Sequence, residues 1–339
     1  MMKINKKGIF FTFAAIALSV IILFSYNVYN EYRLNDKMRV IEIRVNTMNN
    51  FVIDLENDME NAINIIGFRS LLSIEEYMMK NDDFIDNLGT TLSGAFDEAF
   101  RLGTINSENM VLMQDNTFVD WIGRMKNISN KTDVTLDFTI NSVSIAHSDP
   151  WTVDVTVNLD ITIQDKKSTA SWVIDDKDYI KKINITSGIG DDHRFVDPLY
   201  LVFNDGLANN TLRRTTVPDF SSISNLQTHV DGRIPGGVGG SYYIANTDAP
   251  SYLNRFEETT RFTASGNGIE SLVDVETVSG LGLGHPSSKT AVDHLYFDTT
   301  SSTLNCNIDG MGMSYDWFWL DHTGPDHKDG PYGGFDCAP

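Results

Sequence analysis

Between Trp151 and Ile163 apolar and polar residues alternate without exception, the apolar set being Trp151, Val153, Val155, Val157, Leu159, Ile161 and Ile163. A period of two sends successive side chains to opposite faces of an extended chain, so this stretch predicts a long strand with one buried face. Upstream, Val134, Leu136, Phe138 and Ile140 alternate in the same way before the parity flips to Val143 and Ile145. One extra residue near Asn141-Ser142 accounts for the flip, which predicts a β-bulge there. Downstream, the runs Ala170 to Ile174 and Ile180 to Ile185 predict two more strands, for a meander of about four antiparallel strands.

A different period governs the N-terminal region. Leu34, Met38, Ile41, Val45, Met48, Val52, Leu55, Met59, Ala62 and Ile66 are spaced by alternating steps of four and three, the a/d rule of a heptad seam. No glycine lies between Gly8 and Gly67, and the first proline is Pro150, so a helix can run unbroken to about Ile66. Phe51, Ile63 and Ile65 widen the stripe in its second half, which suits packing on a globular body. Several asparagines, among them Asn46, Asn49, Asn57 and Asn61, lower intrinsic helicity, so packing must supply the stability. The seam is open to three partners at this point: the chain's own later elements, a homo-oligomeric coiled coil, or a filament core. Gly67 is expected to end or kink the helix, with two shorter amphipathic helices over 70–88 and 92–103 and a third over TFVDWIGRMKN. Ser73 and Glu76 have the spacing of a capping box.

The helix begins in a charge-free run, Ile9 to Tyr26, of 18 residues without Gly or Pro. At 1.5 Å per residue it covers about 27 Å, close to a hydrocarbon core of about 30 Å. Lys3, Lys6 and Lys7 precede it, which places the N-terminus in the cytoplasm and the rest of the chain outside. Tyr26, Tyr29 and Tyr32 follow as interfacial aromatics. An ordinary cleaved signal peptide is the alternative, but LFSYNVYNEY offers no small-x-small cleavage site.

At the junction, Lys6-Lys7-Gly8 leads directly into the apolar helix at Ile9. This resembles the class III signal of type IV pilins and archaeal pilin-like surface proteins, in which a membrane peptidase cuts after such a glycine and leaves the helix on the mature protein. The resemblance covers about the first 70 residues, and it departs from the family at Phe13, where pilins commonly carry glutamate five residues after the cut. The segments SDPWTVDVTVNLDITI and TASW are similar to those of uncharacterised archaeal pilin-like proteins, a similarity that implies no activity. The expected fold is α+β: a long N-terminal transmembrane and coiled helix packed on an antiparallel β-sheet, pilin-like in plan, followed by a small β-rich C-terminal domain. Its divisions are the lysines and anchor at 1–26, a helical region at 27–130, the β-sheet domain at 131–225 and an α+β or β-rich domain at 226–339.

The last division rests on a Gly-, Asn- and Ser-rich stretch between Asp205 and Gly240. Beyond it, SYYIAN predicts a strand, APSYLNRFEE a helix, GIESLVDVETV a strand or short helix, and AVDHLYFDT with TLNCNID a hairpin. The only cysteines, Cys306 and Cys337, allow one disulfide or two inert thiols. In an exported chain the bridge is expected, and closing that loop stabilises by about 3–4 kcal/mol. Sequons for N-glycosylation stand at Asn127, Asn130, Asn184 and Asn209.

Charge narrows the function classes. With 46 acidic against 26 basic residues the net charge is -20, which repels nucleic acid and removes it as a partner. No G-x-S-x-G motif occurs, GGVGGS lacks the lysine of a phosphate loop, and no pair of carboxylates stands out as acid and base. Asp321, His322, Asp326, His327 and Asp329 crowd the tail, but match neither HExxH nor an EF-hand loop, so no metal, cofactor or enzymatic activity is expected. Trp317, Phe318 and Trp319 are expected to anchor that tail. The implied partners are a lipid bilayer, further copies of the N-terminal helix, and a surface ligand. A structural or adhesive surface role, with or without filament formation, is expected, with a single-pass adhesin or sensor ectodomain for carbohydrate, peptide or cation as the alternative.

Overall fold

The computed structural model describes residues 6–85, 92–167, 170–186, 195–203, 211–217, 219–231, 242–273, 290–298, 305–312, 315, 318–321, 331–332 and 335–336. Its dominant element is α1 (Lys6–Asn81), one helix of 76 residues and about 114 Å. α2 (Leu92–Leu102), the small hairpin β1 (Thr104–Ile105) and β2 (Glu108–Asn109), and α3 (Phe118–Lys131) follow. They lead into an antiparallel sheet of β3 (Val134–Asp149), β4 (Thr152–Asp165) and β5 (Ser171–Asn184), in that spatial order. The described chain is therefore α+β, with a long apolar N-terminal helix and antiparallel sheets.

Gly67 does not end α1. A Cβ there would lie 3.0 Å from Ile183 Cδ1 and 3.0 Å from Val155 Cγ2, so the missing side chain lets the helix rest directly on the sheet. Hence the segment 70–81 continues α1 rather than forming a separate helix. Ser73, expected as a cap, is instead mid-helix and buried, with no hydrogen-bond partner for its hydroxyl. The capping box that does form is Thr117 with Asp120 at the start of α3: Asp120 N donates to Thr117 Oγ1 at 3.1 Å and Thr117 N to Asp120 Oδ2 at 3.0 Å.

Strict alternation in β4 translates into a one-sided sheet. Val153, Val155, Val157, Leu159, Ile161 and Ile163 are all fully buried beneath the helices, while Asp154, Thr156, Asn158 and Asp160 form the other face. The β3–β4 register shifts between Ile140 and Ser142, at the expected bulge. Only three strands form where four were expected, because Ala170 to Ile174 and Ile180 to Ile185 belong to the single strand β5. Between those two runs Asp175-Asp176 make an irregularity opposite Leu159 to Ile161, with Asp176 at φ 51° and its N–H donating to Asp160 Oδ1 at 2.8 Å.

Polar contacts on both flanks fix how α1 lies on this sheet. Glu56 accepts from Lys177 Nζ at 2.5 Å and Tyr179 Oη at 3.0 Å, and Glu60 from Lys181 Nζ at 2.6 Å, all on β5. On the opposite flank Trp121 Nε1 of α3 donates to Asp58 Oδ2 at 2.9 Å. A chain of ring contacts, Phe96–Phe100–Phe118–Trp121–Phe138, carries the core from α2 through α3 to β3, with centroids 5.1 to 5.8 Å apart.

The rest of the described chain is built of short pieces: α4 (Pro198–Phe203), α5 (Ile223–Asp231), β6 (Ile244–Ala245) paired with β7 (Ile269–Glu270), α6 (Asp293–Phe297), and β8 (Asn305–Asn307) paired with β9 (Trp319–Asp321). The helix expected over 249–258 is one 3-10 turn, Asn254–Phe256, and the hairpin expected over 291–309 is replaced by α6 and the β8–β9 pair. Tyr252, Phe256, Ile269 and Phe297 share one apolar cluster with Met59 and Val157, so this core continues across position 225/226, which itself lies within α5. A second cluster gathers Phe220, Leu226, Leu272, Cys306 and Phe318.

Candidate functional site: membrane anchor and helical seam

The expected seam residues divide sharply. Leu34 is 60% and Met38 67% exposed, Ile41 is exposed and Val45 is half-buried, whereas Met48 is only 3% exposed. From there Val52, Leu55, Met59, Ala62 and Ile66 are all buried in the main core. Where the body begins, Arg44 Nε donates to Asp165 Oδ1 at 2.7 Å, and the Asp165 side chain is fully buried at the end of β4. The body thus occupies the seam from Met48 onward and leaves its N-terminal stretch, Leu34 to Ile41, uncovered by any described residue.

Below that stretch lies the apolar run. Phe11, Phe13, Ile16, Leu18, Ile21, Leu23 and Phe24 are exposed, and α1 is long and apolar enough to cross a membrane. A core helix of a soluble domain would bury these residues against its own chain, which this one does not. Lys6, Lys7, Gly8 and Ile9 form the first turns of α1.

Among the sequons, Asn127 and Asn130 are exposed on α3 and Asn184 is exposed at the end of β5. The Asn184 Oδ1 accepts from Thr186 N at 2.9 Å and Thr186 Oγ1 at 2.8 Å, so its sequon is folded as a tight local turn. Asn209 lies outside the described residues. Cys306 is buried in β8 and Cys337 lies outside them, although Asp336, its neighbour in sequence, accepts from Asp309 N at 3.0 Å close to β8. Of the acidic tail and its aromatic anchor, Asp321 ends β9, Phe318 is buried and Trp319 half-buried, while Trp317, His322, Asp326, His327 and Asp329 lie outside the described residues. Among the described residues no group of three His, Cys, Asp or Glu is arranged to hold a metal.

A buried polar knot escaped the sequence reading. Arg255 is fully enclosed, and its Nη1 reaches Asp197 Oδ2 at 2.6 Å and Asp293 Oδ2 at 2.7 Å, while Nη2 donates to the Ile269 carbonyl. Tyr243 Oη donates to Asp197 Oδ2 at 2.8 Å and Ser271 Oγ to Asp293 Oδ2 at 3.2 Å. One guanidinium thereby ties together the residue before α4, the 3-10 turn, β7 and α6. Burial raises the Asp197 carboxyl above its usual range against the pull of Arg255, and burial likewise lifts Glu270 to about 7. The only sequence signal was an arginine set among apolar neighbours at Tyr252-Leu253-Asn254-Arg255-Phe256.

Among the described residues two clefts open on the body. One of about 310 Å³ lies between β3 and the 251–267 segment, lined by His147, Ser251, Asn254, Glu257 and Asn267 among others. Within it Ser251 Oγ donates to Asn254 Oδ1 at 2.8 Å and Asn254 Nδ2 to the Thr263 carbonyl at 3.3 Å, while Ser265 Oγ is buried with no hydrogen-bond partner among the described residues. A second, of about 580 Å³, lies between α2, the β1–β2 hairpin and the start of α3. Among the described residues no Phe, Tyr or Trp lines either cleft.

Comparison of the chain with protein-family models, with curated proteins and with solved structures returns no match.

Proposed function

We propose that the protein is a membrane-tethered, pilin-like surface protein with a structural rather than an enzymatic role, its N-terminal lysines in the cytoplasm and its body outside. The observation that supports this most is the division of α1: an apolar segment and a short stem without cover, then a distal half buried under an α+β body. Lys6, Lys7 and Gly8 are the processing signal in this reading, and Ile9 the first residue of the mature chain. Leu34, Met38, Ile41 and Val45 form the surface through which copies associate. A buried Cys306, with Asp336 held near β8, favours the Cys306–Cys337 bridge, and Asn127, Asn130 and Asn184 are open to glycan attachment.

N-terminal sequencing of protein purified from membranes tests the reading. A start at Ile9 supports pilin-type processing, an intact Met1 leaves a plain signal anchor, and a start beyond Tyr26 refutes the tether. Negative-stain microscopy of the same material separates fibres from isolated particles, and a two-dalton mass loss relative to the reduced chain reports the disulfide.

A further inference from the structure

Two titratable side chains, on different elements of the N-terminal part, grip consecutive residues of the C-terminal part. Tyr252 Oη donates to Glu75 Oε1 at 2.8 Å, and Val196 N donates to the same oxygen at 3.0 Å. One residue further on, Leu253 N donates to His147 Nε2 at 3.2 Å. Glu75 belongs to α1 and His147 to β3. Tyr252 and Leu253 open the turn that delivers Arg255 into the buried knot.

Each of the two groups has one stable protonation state in its buried site. Glu75 is buried, and among the described residues no Lys, Arg or His pairs with it; the charged group facing it is Asp197, with Arg255 behind that carboxylate. An ionised carboxylate there would be an uncompensated buried charge beside a second acid, so the neutral acid is the stable form. Burial accordingly raises its pKa to about 8, even though the Tyr252 and Val196 hydrogen bonds pull the other way.

His147 has the opposite requirement. Its Nδ1 faces two carbonyls, Asp149 O at 3.1 Å and Thr152 O at 3.3 Å, so Nδ1 carries the hydrogen and Nε2 must be bare to accept from Leu253. Protonation of Nε2 would set one N–H against another. Burial lowers the His147 pKa below the usual 6.5, opposed by the two carbonyls and by the charges of Asp149 and Asp154, with Lys182 beside Asp154 and Glu257 across the cleft.

We propose that Glu75 and His147 form a two-sided, proton-controlled clasp on Tyr252-Leu253, closed while both are neutral and loosened by alkali through Glu75 and by acid through His147. The signs follow from proton linkage. A carboxyl with a raised folded pKa contributes stability that is lost as pH rises through that value, and a histidine with a lowered one contributes stability that is lost as pH falls through it. The clasp does not depend on which side of a membrane the body occupies.

Amide exchange of the full chain in detergent micelles tests this, with Leu253 protection referenced to the unstructured exchange rate at each pH. Protection is expected to fall by up to about tenfold per pH unit from about pH 6.5 to about 8, where opening releases the Glu75 proton, and to level off above that value. Below the ordinary histidine value of 6.5 opening also takes up a proton at His147, which offsets the Glu75 slope. Glu75→Gln, which keeps a neutral acceptor, should abolish the fall between pH 6.5 and 8 and leave a fall on the acid side alone, whereas His147→Gln should extend the Glu75 fall below pH 6.5. Glu270→Gln, which removes another carboxyl raised by burial, should leave the Leu253 profile unchanged. A flat wild-type profile from pH 6.5 to pH 8, or a Glu75→Gln profile that still falls over that range, overturns the proposal. Should Glu75→Gln not fold, the ¹³C shift of the wild-type Glu75 carboxyl decides: a midpoint near 8 supports the clasp and one near 4.5 overturns it.

Discussion

The two halves of α1 obey one spacing rule and meet opposite fates. From Leu34 to Val45 apolar residues recur at steps of four and three but remain largely exposed; from Met48 to Ile66 the same rule holds and every seam position is buried. What differs is the later chain, which folds back over the distal half and latches it through Glu56, Asp58 and Glu60. A heptad pattern thus identifies the face that must be covered and is silent about what covers it. It follows that a partner helix can follow the seam only over its N-terminal half, because the body already occupies the rest.

Substitutions that treat the two halves alike should separate them. The largest effect is expected at the knot that holds the folded-back chain: Arg255→Met leaves Asp197 and Asp293 buried without their cation and should cost about 3–5 kcal/mol in urea denaturation followed by near-UV circular dichroism. Next comes a matched pair on α1. Met59→Ala empties a fully buried site and should cost about 2–5 kcal/mol, whereas Met38→Ala, in the exposed half, should change body stability by less than about 0.5 kcal/mol. Equal losses at both positions would mean that the stem is covered after all. At Gly67 the gain in helix propensity opposes the clash with Ile183 and Val155, and Gly67→Ala should be net destabilising by about 1 kcal/mol. Smallest of all, Lys177→Met and Lys181→Met should each cost about 0.2–1 kcal/mol, with the loss shrinking as salt is added, since these ion pairs are partly exposed.

Elements whose periodicity is long were legible in the sequence. The alternation of β4, the bulge at Ile140 to Ser142 and the seam of α1 could all be read because each is enforced by a local repeat that faces one core. Gly67 misled because two opposite demands, flexibility and close approach, select the same residue, and only the positions of Val155 and Ile183 show which applies. Beyond residue 195 the described elements are short and held by distant polar contacts rather than by pattern. Arg255 lies 58 residues from Asp197 and 38 from Asp293, and no local repeat announces that the three meet. Glu75 and His147 were invisible for the same reason: each looks ordinary until its partner from 177 or 106 residues away is in place.

An unbroken rod of this length is also a lever. If Tyr26 marks the membrane surface, Asn81 stands about 82 Å farther along the axis, so tilting the anchor by about 10° would swing the far end sideways by about 14 Å. Small changes in how anchors lean among their lipid neighbours would therefore become large lateral displacements of the body, with no joint in the helix to absorb them.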